Sequence, residues 1–336
     1  MPKKLNRKII LSSRPVGIPL AEHFEIVAEP VPDPGPGEFL VRNRFLSVDP
    51  AMRGWVNAAQ NYSDPVGIGE VMRSLAVGEV IASRDKDYAV GETLVGLFGW
   101  QDYAIGSAKD VWFRLSPGDP SPSASLGLLG LNGVTAYFCL LEIGRPKDGE
   151  TVVVSTAAGS VGSAVGQIAR IKGCRAVGIT GSDEKVADCL DQFGYDAAIN
   201  YKTTADLSAA LADACPDGVD VYFDNTAGAI SDAVYEHLNV GARCAICGTA
   251  AVSSWDPWPA GPRIERHLLV KRASVQGFLV FDHLNRIDEA RQQLAAWLRE
   301  GKLNYREDVL EGLDQAPGAI ARLYAGENRG KLVIRL

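Results

Sequence analysis

The sequence predicts an α/β chain in which a β-rich, barrel-like domain precedes a doubly wound parallel sheet. Three observations predict it. The stretch Thr151 to Tyr201 opens TVVVSTAAGSVGSAVG, which is a β-branched run, a glycine-rich turn and then an apolar helical stripe. Strand and helix patterns alternate from there to about residue 300. Residues 1 to about 129 carry many short strand patterns between Pro/Gly turns and few helical ones.

In the first domain KIIL, HFEIVAEPV, GEFLVRNRFLSV, AVGEVIAS, ETLVGLFGWQDYAIG and DVWFRL cluster or alternate β-formers. Asp33-Pro34-Gly35-Pro36-Gly37 is a dense turn signal. Ser116 to Ser125 reads as a Pro/Ser-rich connector, followed by a helix from about 134 to 143 and a turn at Pro146 to Gly149.

Val152, Val153 and Val154 suit a strand buried on both faces of a parallel sheet. Val161, Ala164, Val165, Ile168, Ala169 and Ile171 then form one helical stripe, which Gly173 ends, and RAVGIT is the second strand. A helix over 183–193 follows, with Ser182 or Asp183 as N-cap and Gly194 as its stop. DAAIN is the third strand, and a helix with a cap-like start spans 204–214. VDVYFDN, a helix over 229–238 and RCAICG come next. A Trp/Pro-rich loop (253–262), a helix near 264–270, the strand ASVQGFLV and a long helix over 282–300 complete the alternation. The tail reads NYREDVLEG, a helix near 315–325 and the strand KLVIRL. A last strand placed after an α/β domain often rejoins the first domain. The expected division is therefore 1–129 with 300–336 as a discontinuous barrel-like domain, and 130–299 as the parallel-sheet domain.

The turn at Gly159-Ser160-Val161-Gly162 has the chemistry of a phosphate cradle. Unpaired backbone N–H groups and the helix dipole both point at an anion there. Gly159 lets a pyrophosphate approach, and Gly162 lets the helix pack closely on the strand. The motif is AxGxxG, and its strand–turn–helix–strand context supports a dinucleotide over a turn that binds nothing. Sites that prefer NAD place an acid about 20 residues past the glycines. The second strand here ends Gly178-Ile179-Thr180-Gly181-Ser182, with no acid at its tip. Ser182, Lys185 and Tyr201 together suit a 2′-phosphate, so NADP(H) is expected as cofactor. The competing reading makes Lys185 a solvated helix residue beside Asp183 and Glu184.

The chain has 336 residues and a net charge of −7. That balance argues against nucleic acid and anionic membranes as partners. The N-terminal apolar run, Ile9 to Leu11, is too short for a signal peptide, and a cytoplasmic setting is expected. Of six cysteines only Cys244 and Cys247 have metal-like spacing, and they read as thiols of a core strand. Residues 1–129 hold no Cys and one His, His23, in a strand-like edge position, so no metal site is expected.

LSVDPAMRG (46–54), YSDPVGIGEVM (62–72), GVTAYFCL (133–140), the 157–186 block, NYKT (200–203), VDVYFDNTAG (219–228), GARCAICG (241–248) and NRGKLVIRL (328–336) together resemble the medium-chain dehydrogenase/reductase superfamily. Within it they are similar to the zinc-independent branch of prostaglandin, plant double-bond and curcumin reductases. The resemblance runs over nearly the whole chain. It implies a GroES-like β-barrel domain, a Rossmann domain, and NADPH-dependent reduction of the C=C bond of α,β-unsaturated ketones or aldehydes. By matching position it implies further cofactor contacts. These are Thr135 near the nicotinamide, Asn225 after the fourth strand, Cys247, Gly248 and Thr249 after the fifth, Phe278, Leu279 and Val280 after the sixth, and Asn328. It also implies a homodimer, with the Rossmann sheet edge as the candidate surface.

Hydride transfer to the β-carbon needs a donor at the carbonyl oxygen and a proton source. The tyrosines of the family pattern are replaced here by Ala51 and Ser253. Tyr62, which matches a tyrosine in the bacterial members, is the candidate catalytic residue, with a pocket-lining aromatic as the competing reading and solvent or the cofactor ribose as the other proton source. Trp55, Trp255 and Trp258 read as pocket-wall or lid aromatics. Two other functions stay open: a quinone reductase, and an NADPH-binding sensor or scaffold with little turnover.

Overall fold

A computed structural model describes residues 4–58, 61–116, 119–252, 257 and 259–336. Ser253, Trp255 and Trp258 lie outside the described residues.

In chain order the first elements are β1 (Leu5–Leu11), β2 (Phe24–Pro30), β3 (Phe39–Ser47), α1 (Ala51–Trp55), β4 (Ala76–Ser83), β5 (Thr93–Gly96), β6 (Tyr103–Gly106) and β7 (Val111–Arg114). Next come α2 (Leu131–Phe138), β8 (Thr151–Ser155), α3 (Ser160–Ile171), β9 (Arg175–Thr180), α4 (Asp183–Ala187), β10 (Ala197–Asn200), α5 (Leu207–Ala214) and β11 (Val219–Asp224). They are followed by α6 (Gly228–Glu236), β12 (Leu238–Ile246), α7 (Glu265–Lys271), β13 (Ser274–Gly277) and α8 (Ile287–Arg299). The last are β14 (Glu307–Glu311), α9 (Ala316–Ala325) and β15 (Lys331–Arg335). The chain divides into two compact units, 1–126 with 307–336, and 127–306. The boundaries expected from sequence were 129/130 and 299/300.

The first unit is built on β3. One edge of β3 pairs antiparallel with β4. The other pairs with β6 over Phe39–Arg42 and then with β15 over Phe45–Ser47. The sheet order is β14-β15-β3-β4-β5-β7, with β1 and β2 as a separate antiparallel pair. Close packing of β3 on β4 needs Gly78, where a Cβ would lie 2.2 Å from Val41. Lys331 of β15 is buried and donates to Asp49 Oδ1 at 2.6 Å and Ser47 Oγ at 2.7 Å. A buried ammonium survives only when paired in this way. His23 ends a short 3-10 turn (Ala21–His23) rather than lying in a strand, because β2 begins at Phe24.

The second unit holds a parallel sheet in the order β10-β9-β8-β11-β12-β13. All five residues of β8 are buried, as the triple-valine run requires of a central parallel strand. Val153 packs with Leu211 of α5 and with Ile230 and Val234 of α6 in one cluster. α2 packs against α3 and α8.

Several helices differ from the sequence expectation. The helix expected over 134–143 starts at Leu131 and passes into π-helix at Cys139–Gly144. The one expected over 183–193 is α only to Ala187 and π from Asp188 to Gln192. The helix expected from 204 starts at Leu207, because Asp206 is the residue whose carboxylate caps it, accepting from Ala209 N–H at 2.9 Å. The long helix is 3-10 over Val280–Arg286 before α8 begins. β13 ends at Gly277, short of Phe278.

Candidate active site

The order of the parallel sheet reverses between β8 and β11. Loops leaving neighbouring strands there diverge, and ligands of such sheets bind in the crevice at the carboxyl ends. Most of the sequence-nominated cofactor residues fall on these loops.

The turn after β8 is made by backbone. Thr156 takes a left-handed φ of 54°. Ala157 N–H donates to the Ile179 carbonyl at 3.0 Å, and Gly159 N–H to the Thr156 carbonyl at 2.9 Å. Gly159 then serves as N-cap of α3 in extended backbone, and no side chain caps it. The first N–H groups of a helix have no intrahelical partner. Those of Ser160, Val161 and Gly162 therefore remain for an anion, with the positive end of the helix dipole behind them.

Gly162 is required: a Cβ there would sit 2.3 Å from the Thr156 carbonyl oxygen and 2.8 Å from Ala157 Cα, both backbone. Gly166 is as tightly held and was not singled out from sequence. A Cβ there would lie 2.1 Å from the Tyr195 ring, whose hydroxyl donates to the Gly162 carbonyl at 2.6 Å. The signal was a third glycine, one helical turn past Gly162. A bare helix tip walled by backbone fits the pyrophosphate of a dinucleotide.

At the end of β9, Ser182 caps α4, its hydroxyl accepting from Lys185 N–H at 3.3 Å. Lys185 is half-buried and Tyr201 is exposed. The Asp183 carboxylate accepts from Asn200 Nδ2 at 2.7 Å. That bond turns it toward the end of β10, and Glu184 is exposed. Tyr201 and Lys202 both lie over Gly181, where a Cβ would meet each of them at 3.3 Å. Ser182, Lys185, Tyr201 and Lys202 thus gather donors around one loop, and Lys202 is a second cation that sequence reading missed. This donor set suits a phosphate rather than a bare ribose hydroxyl.

At the end of β11 the Asp224 carboxylate is buried and held from several sides. It accepts from Thr226 and Ala227 N–H at 2.8 Å each, Ser231 Oγ at 2.7 Å and Tyr222 OH at 3.1 Å. Burial first, and the nearby carboxylate second, push the Tyr222 phenol well above its usual range. Asn225 clasps the two central strands, its N–H donating to Ser155 Oγ at 2.8 Å and its Nδ2 to the Ser155 carbonyl at 2.7 Å. The loop after β12 is knitted onto this one: Cys247 and Gly248 N–H both donate to the Asp224 carbonyl, and a Cβ at Gly248 would sit 3.0 Å from the Asn225 carbonyl oxygen. Cys244 is a buried strand thiol as expected, but β12 ends one residue before Cys247, which is half-buried on the loop. Burial and a hydrogen bond with Cys247 push the Cys139 thiol far up.

α2 backs this region. Thr135 is buried, and its hydroxyl donates to the Leu131 carbonyl at 2.7 Å, which leaves the oxygen lone pairs as acceptors. Phe278 N–H donates to the Ile246 carbonyl at 2.9 Å, so the first residue past β13 stays in register beside β12. Leu279 and Val280 follow it into the 3-10 helix.

Three nominated residues belong to the first unit. Tyr62 is exposed on the segment between α1 and β4. It lies near enough to Tyr324 to add to the rise of that phenol, which burial takes to about 12 against the opposing charge of Arg53. Tyr324 donates to the Pro50 carbonyl at 2.9 Å under the Arg53 guanidinium, fixing the start of α1 at Ala51. Trp55 of α1 is buried, so it is a core residue and not a lid. Asn328 is buried, its Nδ2 donating to the Gly330 carbonyl at 2.8 Å just before β15.

Comparison with known proteins places this architecture. The family described as N-terminal domain of oxidoreductase matches residues 7–113, and that described as zinc-binding dehydrogenase matches residues 160–299. The NADPH-dependent curcumin reductase of Escherichia coli (strain K12) is 41% identical over 339 residues, covering 99% of this chain and 98% of its own. Prostaglandin reductase 1 of Sus scrofa is 40% identical over 95% of this chain and 96% of its own. The chain belongs to the medium-chain dehydrogenase/reductase family. Its branch is that of the curcumin and prostaglandin reductases. A crystal structure of CurA in complex with NADPH from Vibrio vulnificus superposes with a TM-score of 0.93 at 43% identity, over 98% of each chain. In the terms of this family the first unit is the GroES-like domain and the second the Rossmann domain.

Proposed function

We propose that this protein reduces, with NADPH, the C=C bond of α,β-unsaturated ketones or aldehydes. The observation that carries the cofactor part is the uncapped tip of α3 beside a loop of Ser182, Lys185, Tyr201 and Lys202. The relatives named for NADPH and for enone-type substrates carry the reaction class. NADPH, when bound, supplies the hydride for the β-carbon of the enone.

The chain's own residues bind and orient, and the proton that completes the reduction at the α-carbon comes from solvent. The N–H groups of Ser160, Val161 and Gly162 hold the pyrophosphate, and Gly159 lets it approach. Lys185 and Lys202 neutralise the 2′-phosphate while Ser182 and Tyr201 donate hydroxyls to it. The loops Asn225, Cys247–Thr249 and Phe278–Val280, with Thr135, would shape the nicotinamide end, and Asn328 is carried over from the family pattern as a further cofactor contact. Thr135 would be an acceptor for the nicotinamide end through its remaining lone pairs. Tyr62 donates to the carbonyl oxygen on which negative charge develops, which makes it the catalytic residue of this reading.

No step uses zinc in this proposal. Residues 1–129 hold His23 as their sole His or Cys, and imidazole and thiolate are the ligands zinc most needs. The working form is a homodimer joined along β13. That strand is the sheet edge, all four of its residues are exposed, and Leu269 (78%) and Val270 (53%) of α7 extend the apolar surface. The setting is the cytoplasm, in keeping with six free thiols. No helix among the described residues is long and apolar enough to cross a membrane.

The test mixes the protein with NADPH and a panel of enones and quinones and follows the nicotinamide absorbance. Oxidation with enones supports the proposal. Turnover confined to quinones would replace the substrate class, and tight NADPH binding without oxidation would make the protein a sensor or scaffold.

A further inference from the structure

We propose that His283 is a positioning residue for the nicotinamide end of the dinucleotide, acting through Phe278. The inference rests on the cofactor reading above. It starts from a column of rings. The His283 imidazole lies between Phe278 and Phe138, with centroids 5.0 Å from each and interplanar angles of 18° and 17°. The Arg286 guanidinium also lies on the Phe138 ring, 4.6 Å from its centroid. His283 Nδ1 is 3.6 Å from Glu142 Oε2, and Arg286 donates to Glu142 Oε1 at 2.5 Å. Arg286 is held in turn by Glu289, through bonds of 2.8 and 2.9 Å.

The two ends of this column matter. Phe138 is fully buried on α2, one turn beyond Thr135. Phe278 is the first residue past β13 and opens the segment Phe278–Val280. The column therefore sets the spacing between Thr135 and that loop, the two walls assigned above to the nicotinamide. The loop needs such a fastening. It runs into a 3-10 helix of seven residues, longer than 3-10 hydrogen bonding sustains unaided. An imidazole between two rings supplies it, since each offset or tilted stack resists sliding as well as separation. Nothing in the column reaches the end of β9, so the adenosine end is held independently.

The experiment measures dissociation constants of the full-length protein for NADPH and for adenosine 2′,5′-bisphosphate, which has the 2′-phosphate but no nicotinamide. Amide hydrogen exchange over 278–283 is followed without ligand. His283→Ala is expected to weaken NADPH binding about tenfold, the loss of two ring stacks. It should leave bisphosphate affinity unchanged and speed exchange over 278–283, and His283→Phe should restore both properties. Unchanged NADPH affinity in His283→Ala, or equal weakening of both ligands, overturns the proposal. Absence of NADPH binding in the unsubstituted protein overturns the cofactor reading and this inference with it.

Discussion

In the proposed site Lys185 is one of two ammonium groups, with Lys202, on which the choice between two nicotinamide cofactors rests. A charge-assisted hydrogen bond is worth about 1.5–3 kcal/mol, or roughly ten- to a hundredfold in affinity. Lys185→Glu is therefore expected to weaken NADPH binding by about that factor, while NADH affinity changes little. Equal losses for both, read by fluorescence titration, would remove the 2′-phosphate assignment. Tyr62 is the second decisive residue. If its hydroxyl serves the developing oxyanion, Tyr62→Phe lowers kcat about a hundredfold, the lower end for general acid catalysis, with NADPH affinity unchanged. Full turnover in that variant would take Tyr62 out of the chemistry. Neither residue needs the other to be correctly assigned, since one is proposed to bind phosphate and the other to donate to substrate.

At the scale of elements, the carboxyl ends of the parallel strands carry the proposed site while the amino ends carry fastenings. Arg243 of β12 grips both carboxylate oxygens of Glu150, just before β8, and donates to the Gly144 and Arg145 carbonyls at 2.9 and 3.0 Å. Burial raises the Glu150 pKa, but the Arg243 guanidinium and the Lys147 amide together outweigh it and hold the carboxyl below its ordinary 4.5. A depressed acid stabilises the fold fully above that ordinary value, and the contribution disappears as pH falls through the folded value. Glu150→Gln should cost about 2 kcal/mol at neutral pH and flatten the loss of stability below pH 4.5. Equal acid sensitivity in both proteins, by denaturant titration at several pH values, would contradict this.

The same elements show what could be read without coordinates. The β8–turn–α3–β9 unit was legible because a valine run, two glycines and a helical stripe each obey a local rule. The π-helical turns at 139–144 and 188–192 were not, since one extra residue per turn barely disturbs apolar spacing. Asp206 and not Thr204 caps α5 because the cap depends on which side chain reaches an N–H, and both types qualify by composition. The cation Lys202, the glycine Gly166 and the ring column of Phe138, Phe278 and His283 are tertiary facts. Each joins positions that only packing brings together.

For the whole molecule the open question is assembly. β13 ends the parallel sheet with its four residues exposed, and Val275 at its centre is apolar. Pairing with the same strand of a second copy would satisfy that edge. Val275→Lys, which places like charges across such a two-fold contact, is expected to shift the mass seen by light scattering from dimer to monomer. A monomer before substitution, or a dimer unaffected by it, would relocate or abolish the interface. The order in which the two units can fold follows from β15. That strand is internal, hydrogen-bonded on both sides by β14 and β3, yet it is the last strand of the chain. Vectorial synthesis on a ribosome therefore delivers the entire Rossmann unit while the Phe45–Ser47 stretch of β3 still lacks its β15 neighbour. The β14–β15 end of that sheet is therefore completed last, when Lys331 to Arg335 emerge from the exit tunnel to pair with Phe45–Ser47.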